Sequence, residues 1–281
     1  MIGVYTTGHA HSETVSAAML TGLAELGLAA AKRKAAPLDP GDSTVVMYGF
    51  LRGLLPTLRD AQGKGRPWVY LDNGYFRSSD HASNRYDGFY RVTRNRYQHP
   101  GIVSGDATVL ARGEKRFRGL GLEIRPERAG RLARTGCHIL VVPPGETFAN
   151  AMGFLAGDWL NGVLVQLDRV TDRPVKVRRK GSPVPLAEDL ADCHAVVTYG
   201  SAVAFAALLA AVPVVCDPMC AAFPLAWSAV GGGLHDIDNA VPPSLPEREA
   251  WAYTLAANQW TLAELRSGQC WRELTGGVAH G

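Results

Sequence analysis

The stretch "CHAVVTYGSAVAFAALLAAVPVVCDP", residues 193–218, sets a Gly-Ser pair between two apolar runs of strand length. "HAVVTYG" and "VPVVCDP" read as buried strands and the Ala-rich segment between them as a helix, which makes the piece one β-α-β unit. A tight turn explains Gly200 but not the small hydroxyl residue after it. Ser201 stands where the helix begins, and there the first N–H groups have no intrahelical partner and the dipole is positive, a setting that suits a phosphate. The plainer reading is a turn capped by Ser201 with nothing bound.

The same rhythm extends to both sides. Before this unit, "CHILVVPPGE" reads as a strand running into a Pro-Gly turn, "FANAMGFLAGDWLNGVLVQLDRVTD" as mostly helix, "RPVKVRRKG" as a strand with Val175 and Val177 on one face, and "PLAEDLADC" as a short helix. At the N-terminus "IGVY" is a strand and "TTGHAHS" a turn, after which Val15, Met19, Leu20, Leu23 and Leu26 recur at helical spacing until Gly27, with Ser12 as the expected N-cap. "STVVMYGF" and "RPWVYLDNGYF", the latter ending at Asp72, read as further strands around the helical "LRGLLPTLRDAQGKG", with Pro56 near its start. Between residues 77 and 136 the periodicity weakens and loops around short elements are expected; the tail, "PEREAWAYTLAANQWTLAELRSGQCWREL", reads as two helices interrupted at Ser267-Gly268.

Strands alternating with helices predict parallel sheets covered on both faces, and 281 residues exceed one ordinary core. The expected fold class is α/β with two Rossmann-like, doubly wound domains: residues 1–134, residues 135–250, and C-terminal helices over 251–281. Hydrophobic content of 47% and charged content of 20% describe a globular chain, not a disordered or fibrous one. No apolar run reaches the ~18 residues of a membrane span, and "MIGVYTTGHAHSE" lacks the features of a signal peptide, so the expectation is a cytoplasmic protein without a membrane partner. Five cysteines without a CxxC pair read as structural.

A net charge of +3 does not by itself imply nucleic acid. Its distribution is more informative. Residues 77–134 are Arg-rich, from Arg77, Arg85, Arg91, Arg94 and Arg96 through Arg112, Arg116, Arg118 and Arg125 to Arg128, Arg131 and Arg134, interleaved early with Tyr86, Phe89, Tyr90 and Tyr97. Such a segment can track a phosphate backbone while its aromatics stack on bases; it can equally be a solvated face or pair internally.

In open α/β sheets ligands bind at the carboxyl ends of strands. Gly145, Arg179, Lys180, Gly200 and Asp217 are expected at such ends. Arg178, Arg179 and Lys180 are expected on a strand end neighbouring the Gly200-Ser201 turn, facing the same anion; the plainer reading is a solvated charged edge strand. Glu146 and Thr147 follow the Pro143-Pro144-Gly145 turn and can bond a ribose or base. Asp72 is the first candidate for a general base, against an Asx-turn carboxylate in Asp-Asn-Gly. His9 and His11, with Glu13, form a competing cluster for proton transfer; a metal there needs at least one more ligand, and none is expected. His194 starts a strand and reads as structural.

In order, "HILVVPPGE", "DRPVKVRRKG" and "LAEDLADCHAVVTYGSAVAFAALLAAVPVVCDP" resemble the nucleotide-sugar-binding domain of GT-B glycosyltransferases, in particular the bacterial capsule-type and phage-encoded branches. The "NQWT" of the tail, and "YLDNGYFR" followed by "YRVTRN", are similar to phage-encoded members, so the resemblance spans residues 67–275. It implies a nucleoside-diphosphate sugar, a UDP-sugar first, held in the C-terminal domain by Gly145, Glu146, Arg178, Arg179 and Lys180 on one side and Thr198, Gly200, Ser201 and Pro218 on the other. The acceptor would lie on the N-terminal domain, with the chemistry in the cleft between them and Asp72, or else His9 or His11, as base. Two acceptors stay open: a 5-hydroxymethylpyrimidine flipped out of phage DNA in a host cytoplasm, which the Arg-rich segment would bind, and a capsule-type polysaccharide. The rivals of another class are a metal-dependent hydrolase at His9 and His11 and a non-catalytic nucleic-acid-binding module.

Overall fold

The computed structural model describes residues 1–35, 37–51, 53–77, 86–98, 104–126 and 136–276. The chain forms two compact units, Met1–Pro100 with Leu255–Gly281 as unit 1, and Gly101–Thr254 as unit 2. Unit 1 begins with β1 (Ile2–Thr6), α1 (Ala10–Glu25), β2 (Ala30–Lys34), β3 (Thr44–Tyr48), α2 (Leu55–Gly63), β4 (Trp68–Asn73) and β5 (Tyr90–Arg94). Unit 2 holds α3 (Ala107–Gly119), β6 (His138–Val142), α4 (Glu146–Met152), α5 (Ala156–Val170), β7 (Val175–Val177), α6 (Leu186–Ala191), β8 (Cys193–Thr198), α7 (Val203–Leu209) and β9 (Val214–Cys216), followed by short 3-10 turns. The chain then leaves through α8 (Leu245–Ala257) and adds β10 (Gln259–Trp260), α9 (Leu262–Arg266) and α10 (Gln269–Leu274) to unit 1.

The unit 1 sheet has the order β10-β5-β4-β3-β1-β2. β2, β1, β3 and β4 run parallel, whereas β5 is antiparallel to β4 and β10 to β5. The three central strands carry continuous apolar runs because both of their faces are covered. β2, "AAKRK", has no such pattern and is not foreseen from periodicity. It is an edge strand whose charges face water, and Arg33 reaches back to Asp42 with Nε and Nη2 each 3.0 Å from a carboxylate oxygen, while the Tyr5 hydroxyl donates to the same group at 3.0 Å. β5 falls where loops are expected, and β10 interrupts what reads as helix.

The C-terminal segment completes this unit. Trp260, Leu265 and Trp271 join Val15, Met19 and Leu23 of α1 in one apolar cluster against β1, β3 and β4. α1 and α9 approach at Gly22, where an added Cβ would stand 1.9 Å from the Leu265 carbonyl oxygen. Thr261 starts α9 with a capping box to Glu264, and Gly268, at φ +71°, separates α9 from α10 at the interruption expected there.

Unit 2 has a four-stranded parallel sheet, order β7-β6-β8-β9. β6 and β8 are buried along their whole length, and Leu160, Val163 and Leu167 of α5 pack on Ile139, Val141, Ala195 and Val197. Parallel sheets with crossover helices make the chain mixed α/β, as expected. The compact units part at residues 100/101 and 254/255, not near 134 and 250; residues 127–135, which include the expected first boundary, lie outside the described residues. α3 belongs to unit 2 because Gly113 lies against the Tyr253 backbone and Phe117 meets the Tyr253 ring edge-on at 5.9 Å. Among the described residues no helix is long and apolar enough to cross a membrane.

Gly22→Ala will push α9 away from α1 and cost about 1–3 kcal/mol of stability, the usual penalty of overpacking. Gly63→Ala, at an open helix end, will cost nothing or stabilise slightly. Urea unfolding of both variants reads the difference.

Candidate functional site

In the unit 1 sheet the strand order reverses between β1 and β3, and a pocket of about 120 Å³ opens at their carboxyl ends. Thr7 and His9 come from the turn after β1, Phe50 and Leu51 from the turn after β3, and Tyr70, Asp72 and Asn73 from the end of β4. Two of the residues singled out from sequence, Asp72 and His9, therefore line one pocket. His9 is the exposed N-cap residue of α1, and Ser12, one turn further on, also lines the pocket.

Asp72 is heavily coordinated. Its Oδ2 accepts from the Tyr70 hydroxyl at 2.7 Å and from Arg91 Nη2 at 2.5 Å, and its Oδ1 accepts from the Asn73 N–H at 2.8 Å. The Tyr70 and Asn73 bonds are local, but an Asx turn would use the Gly74 N–H, which donates to the Phe89 carbonyl at 2.8 Å; the Arg91 bond comes from the adjoining strand. Antiparallel pairing places Arg91 directly opposite Asp72, and side chains opposite one another share a face. Burial raises the Tyr70 phenol well above its ordinary value and the neighbouring Asp72 charge adds to this, so the hydroxyl stays a donor. Burial works against the Arg91 charge, but Asp72, Tyr70 and Tyr75 together outweigh it and the guanidinium is held more firmly protonated than usual.

His11 is placed elsewhere. It is 2% exposed and lies behind the pocket wall: its Nε2 is 3.0 Å from the Tyr90 hydroxyl, its ring stacks on Tyr48 at 4.9 Å, and Tyr86 tilts against it at 4.7 Å. Glu13 is taken up by Thr6 and Lys32. Among the described residues no group of three His, Cys, Asp or Glu side chains converges as a metal site would require.

In unit 2 the order reverses between β6 and β8, and the strand ends there are open: Gly145, Glu146 and Thr147 are exposed, Tyr199, Gly200 and Ser201 half-exposed. Thr198 ties the two ends together, its hydroxyl donating to the Val142 carbonyl at 2.8 Å and accepting from the Ser201 N–H at 3.2 Å. Ser201 Oγ in turn accepts from the Val203 N–H at 3.2 Å, but the N-cap position of α7 is Ala202 and not Ser201 as expected. Gly145 is the N-cap position of α4, with no side-chain cap. Asp217 closes its own turn by accepting from the Met219 N–H, and Pro218 beside it is exposed.

The cations of "VKVRRKG" do not adjoin the Gly200-Ser201 turn. β6 stands between β7 and β8, so the neighbouring strand end is that of Gly145 and Glu146. Arg178 is engaged within the unit, bonding the Asp189 carboxylate of α6 at 2.5 Å and the Val184 carbonyl at 2.8 Å, whereas Arg179 and Lys180 are exposed. What the sequence reading missed is aromatic: Tyr199 is surrounded by Phe148 at 6.0 Å, Phe154 at 4.8 Å and Trp159 at 6.5 Å. A Tyr immediately before the Gly-Ser turn was the available signal.

The Arg-rich segment is divided between the two units. Arg91 and Arg94 lie in unit 1 and Arg112 through Arg125 in unit 2, Arg91 and Arg118 are ion-paired, and Arg85, Arg128, Arg131 and Arg134 lie outside the described residues. His194 sits at the start of β8, bonded to the Ile237 carbonyl at 2.9 Å. The five cysteines form no disulfide, and four of them are buried.

No family model and no curated protein sequence matches the chain. Among solved structures it is similar to the Thermosulfurimonas dismutans KpsC beta Kdo 2,4 transferase, with a TM-score of 0.51 at 12% identity over 94% of this chain and 97% of that one. The beta Kdo 2,7 transferase of the same organism's KpsC aligns at a TM-score of 0.48 and 11% identity, over 97% of this chain and 99% of that one. At such identity the 2,4 transferase shares the fold.

Asp72→Asn will leave the Arg91 guanidinium, 13% exposed, without its counter-charge and cost about 2 kcal/mol by urea unfolding; adding Arg91→Met will restore part of the loss. In unit 2, burial and then Lys176 lower His138 below its usual 6.5, and its Nε2 lies 3.0 Å from the Asp189 carbonyl. The unfolded chain therefore takes up this proton before the folded one does. Its contribution to stability is complete above about pH 6.5 and falls as pH drops from there toward the lowered folded value. Between about pH 7.5 and pH 5.5, His138→Gln will lose less stability than the unsubstituted chain.

Proposed function

We propose that the chain is a glycosyltransferase of the GT-B type, moving a sugar from a nucleotide sugar to a hydroxyl group of a glycan. The observation that carries this reading is the likeness to the KpsC beta Kdo 2,4 transferase along nearly the whole chain, in a fold that opens a polar strand-end site in each unit. The donor belongs to unit 2. Its base stacks against the Tyr199 cluster, and its phosphate accepts from amide N–H groups around Gly145–Thr147 and Gly200–Ser201. Arg179 and Lys180 add positive potential without closing on the phosphate, and Arg178 is a structural residue paired with Asp189. A UDP-sugar is the first donor to test.

The acceptor belongs to the unit 1 pocket. Aromatic walls at Tyr48, Phe50 and Tyr70 suit the apolar face of a sugar ring, and Asp72, held by Arg91 and Tyr70, accepts a hydrogen bond from a ring hydroxyl. A carboxylate with its oxygens already engaged is a better anchor than base. His9, exposed on the same pocket, is the base. The acceptor oxygen bonds to the anomeric carbon as the bond from that carbon to the phosphate oxygen breaks. The hydroxyl proton passes to His9, and the departing phosphate keeps the electron pair, stabilised by the amide N–H groups. A hydroxymethylated DNA base is the weaker acceptor, because the described arginines are divided between two units and partly ion-paired.

The test is incubation with a panel of nucleotide sugars, following transfer to oligosaccharides and to hydroxymethylated DNA by mass spectrometry. Transfer to the glycan is the expected result, with His9→Ala lowering kcat by about 10²–10⁴-fold and leaving donor binding intact. Tyr199→Ala will weaken nucleotide binding by about 1–3 kcal/mol. If no nucleotide sugar binds or is consumed, the transferase reading fails; if only DNA is modified, the acceptor assignment fails.

A further inference from the structure

A second cavity, of about 210 Å³, lies in unit 1 on the rim opposite the Asp72 pocket. It opens where β1 and β3 begin, at Ile2 and Thr44, and where the antiparallel β5 ends at Arg94. Its walls are apolar: Ile2 and Leu28 stand partly buried at the edge of the core cluster, and Val69 and Trp271 belong to that cluster. Cross-strand pairing sets Arg94 opposite Val69, so the guanidinium leaves the sheet on the same face as an apolar wall. Arg94 is exposed, and among the described residues its side chain has no acidic partner and no carboxylate lines the cavity; Ser43 and Thr44 put hydroxyl groups beside the opening, and Met1, whose ammonium donates to the Gly41 carbonyl at 3.1 Å, also lines it. An apolar chamber with the uncompensated Arg94 guanidinium at its wall is complementary to a molecule with an apolar body and a negative end.

We propose that this cavity binds a small carboxylate with a straight aliphatic body, the chain seated against Ile2, Leu28, Val69 and Trp271 and the carboxylate on Arg94. The proposal is independent of the sugar-transfer reading, since it uses none of the residues assigned to donor or acceptor. The ligand would occupy the amino-terminal rim of a sheet whose carboxyl-terminal rim holds the Asp72 pocket.

The experiment is a calorimetric titration of the intact chain with pentanoate through decanoate, alongside alcohols and amines of the same lengths. One saturable site is expected, tightening about threefold to fourfold per added methylene until the chamber is full. Carboxylates should bind about fivefold more tightly than the matching alcohols, and amines not at all. Arg94→Gln, at an exposed position, should keep the melting temperature and bring carboxylates down to the alcohol level. Thr44→Phe, which obstructs the opening, should abolish both. Nuclear Overhauser contacts from the ligand methyl group to the Trp271 indole locate the site. Absence of saturable binding overturns the proposal. So does equal affinity for carboxylate and alcohol, or carboxylate binding that Arg94→Gln leaves unchanged.

Discussion

Parallel pairing brings the carboxyl ends of neighbouring strands to one rim, and reversal of the strand order sends the flanking crossovers apart at that rim. Both units obey this constraint, at β1/β3 and at β6/β8. The opening at each reversal follows from chain direction and not from any single side chain. The residues that line each opening are therefore those that happen to leave a strand there. In unit 1 these are Thr7, His9, Phe50 and Asp72; in unit 2 they are Gly145, Glu146, Tyr199, Gly200 and Ser201.

Two of the arginines near the strand ends, one in each unit, are compensated close to where they arise. Arg91 lies across from Asp72 on the adjoining strand, and Arg178 turns to Asp189 on the helix that follows its own strand. Neither guanidinium is left to meet an external anion by itself. In unit 2 the exposed cations beside Arg178 are Arg179 and Lys180. In unit 1 the pairing leaves a carboxylate whose geometry is fixed from three directions, by Tyr70, Arg91 and the Asn73 amide.

The central strands were legible because a strand buried on both faces needs an unbroken apolar run, and "TVVMY", "WVYL", "HILVV" and "HAVVT" supply it. Edge strands were not. β2 carries Lys32, Arg33 and Lys34 because one side faces water, and β5 hides its alternation of Tyr90 and Val92 with Arg91 and Thr93 inside a segment rich in charge. Asp72 and His9 could be singled out because a polar residue directly after an apolar strand is conspicuous. Arg91 could not, since it acts on a residue distant in the chain, and neither could Phe148, Phe154 and Trp159, which the fold gathers around Tyr199. The adjacency assumed for Arg178 and Ser201 failed on strand order, which apolar runs do not encode: β6, first of its sheet in the chain, sits second from the edge.

Unit 1 is written in two instalments, with all of unit 2 between them. During synthesis the ribosome therefore completes Gly101–Thr254 while the first hundred residues still lack their outermost strand and the Trp260, Leu265 and Trp271 side of their core. The nascent chain holds the unfilled flank of α1 and the bare edge of β5 in that interval, surfaces on which chaperones and misdirected strand pairing compete. Slow elongation through unit 2 prolongs that exposure, which makes translation speed over the middle of the message a determinant of yield.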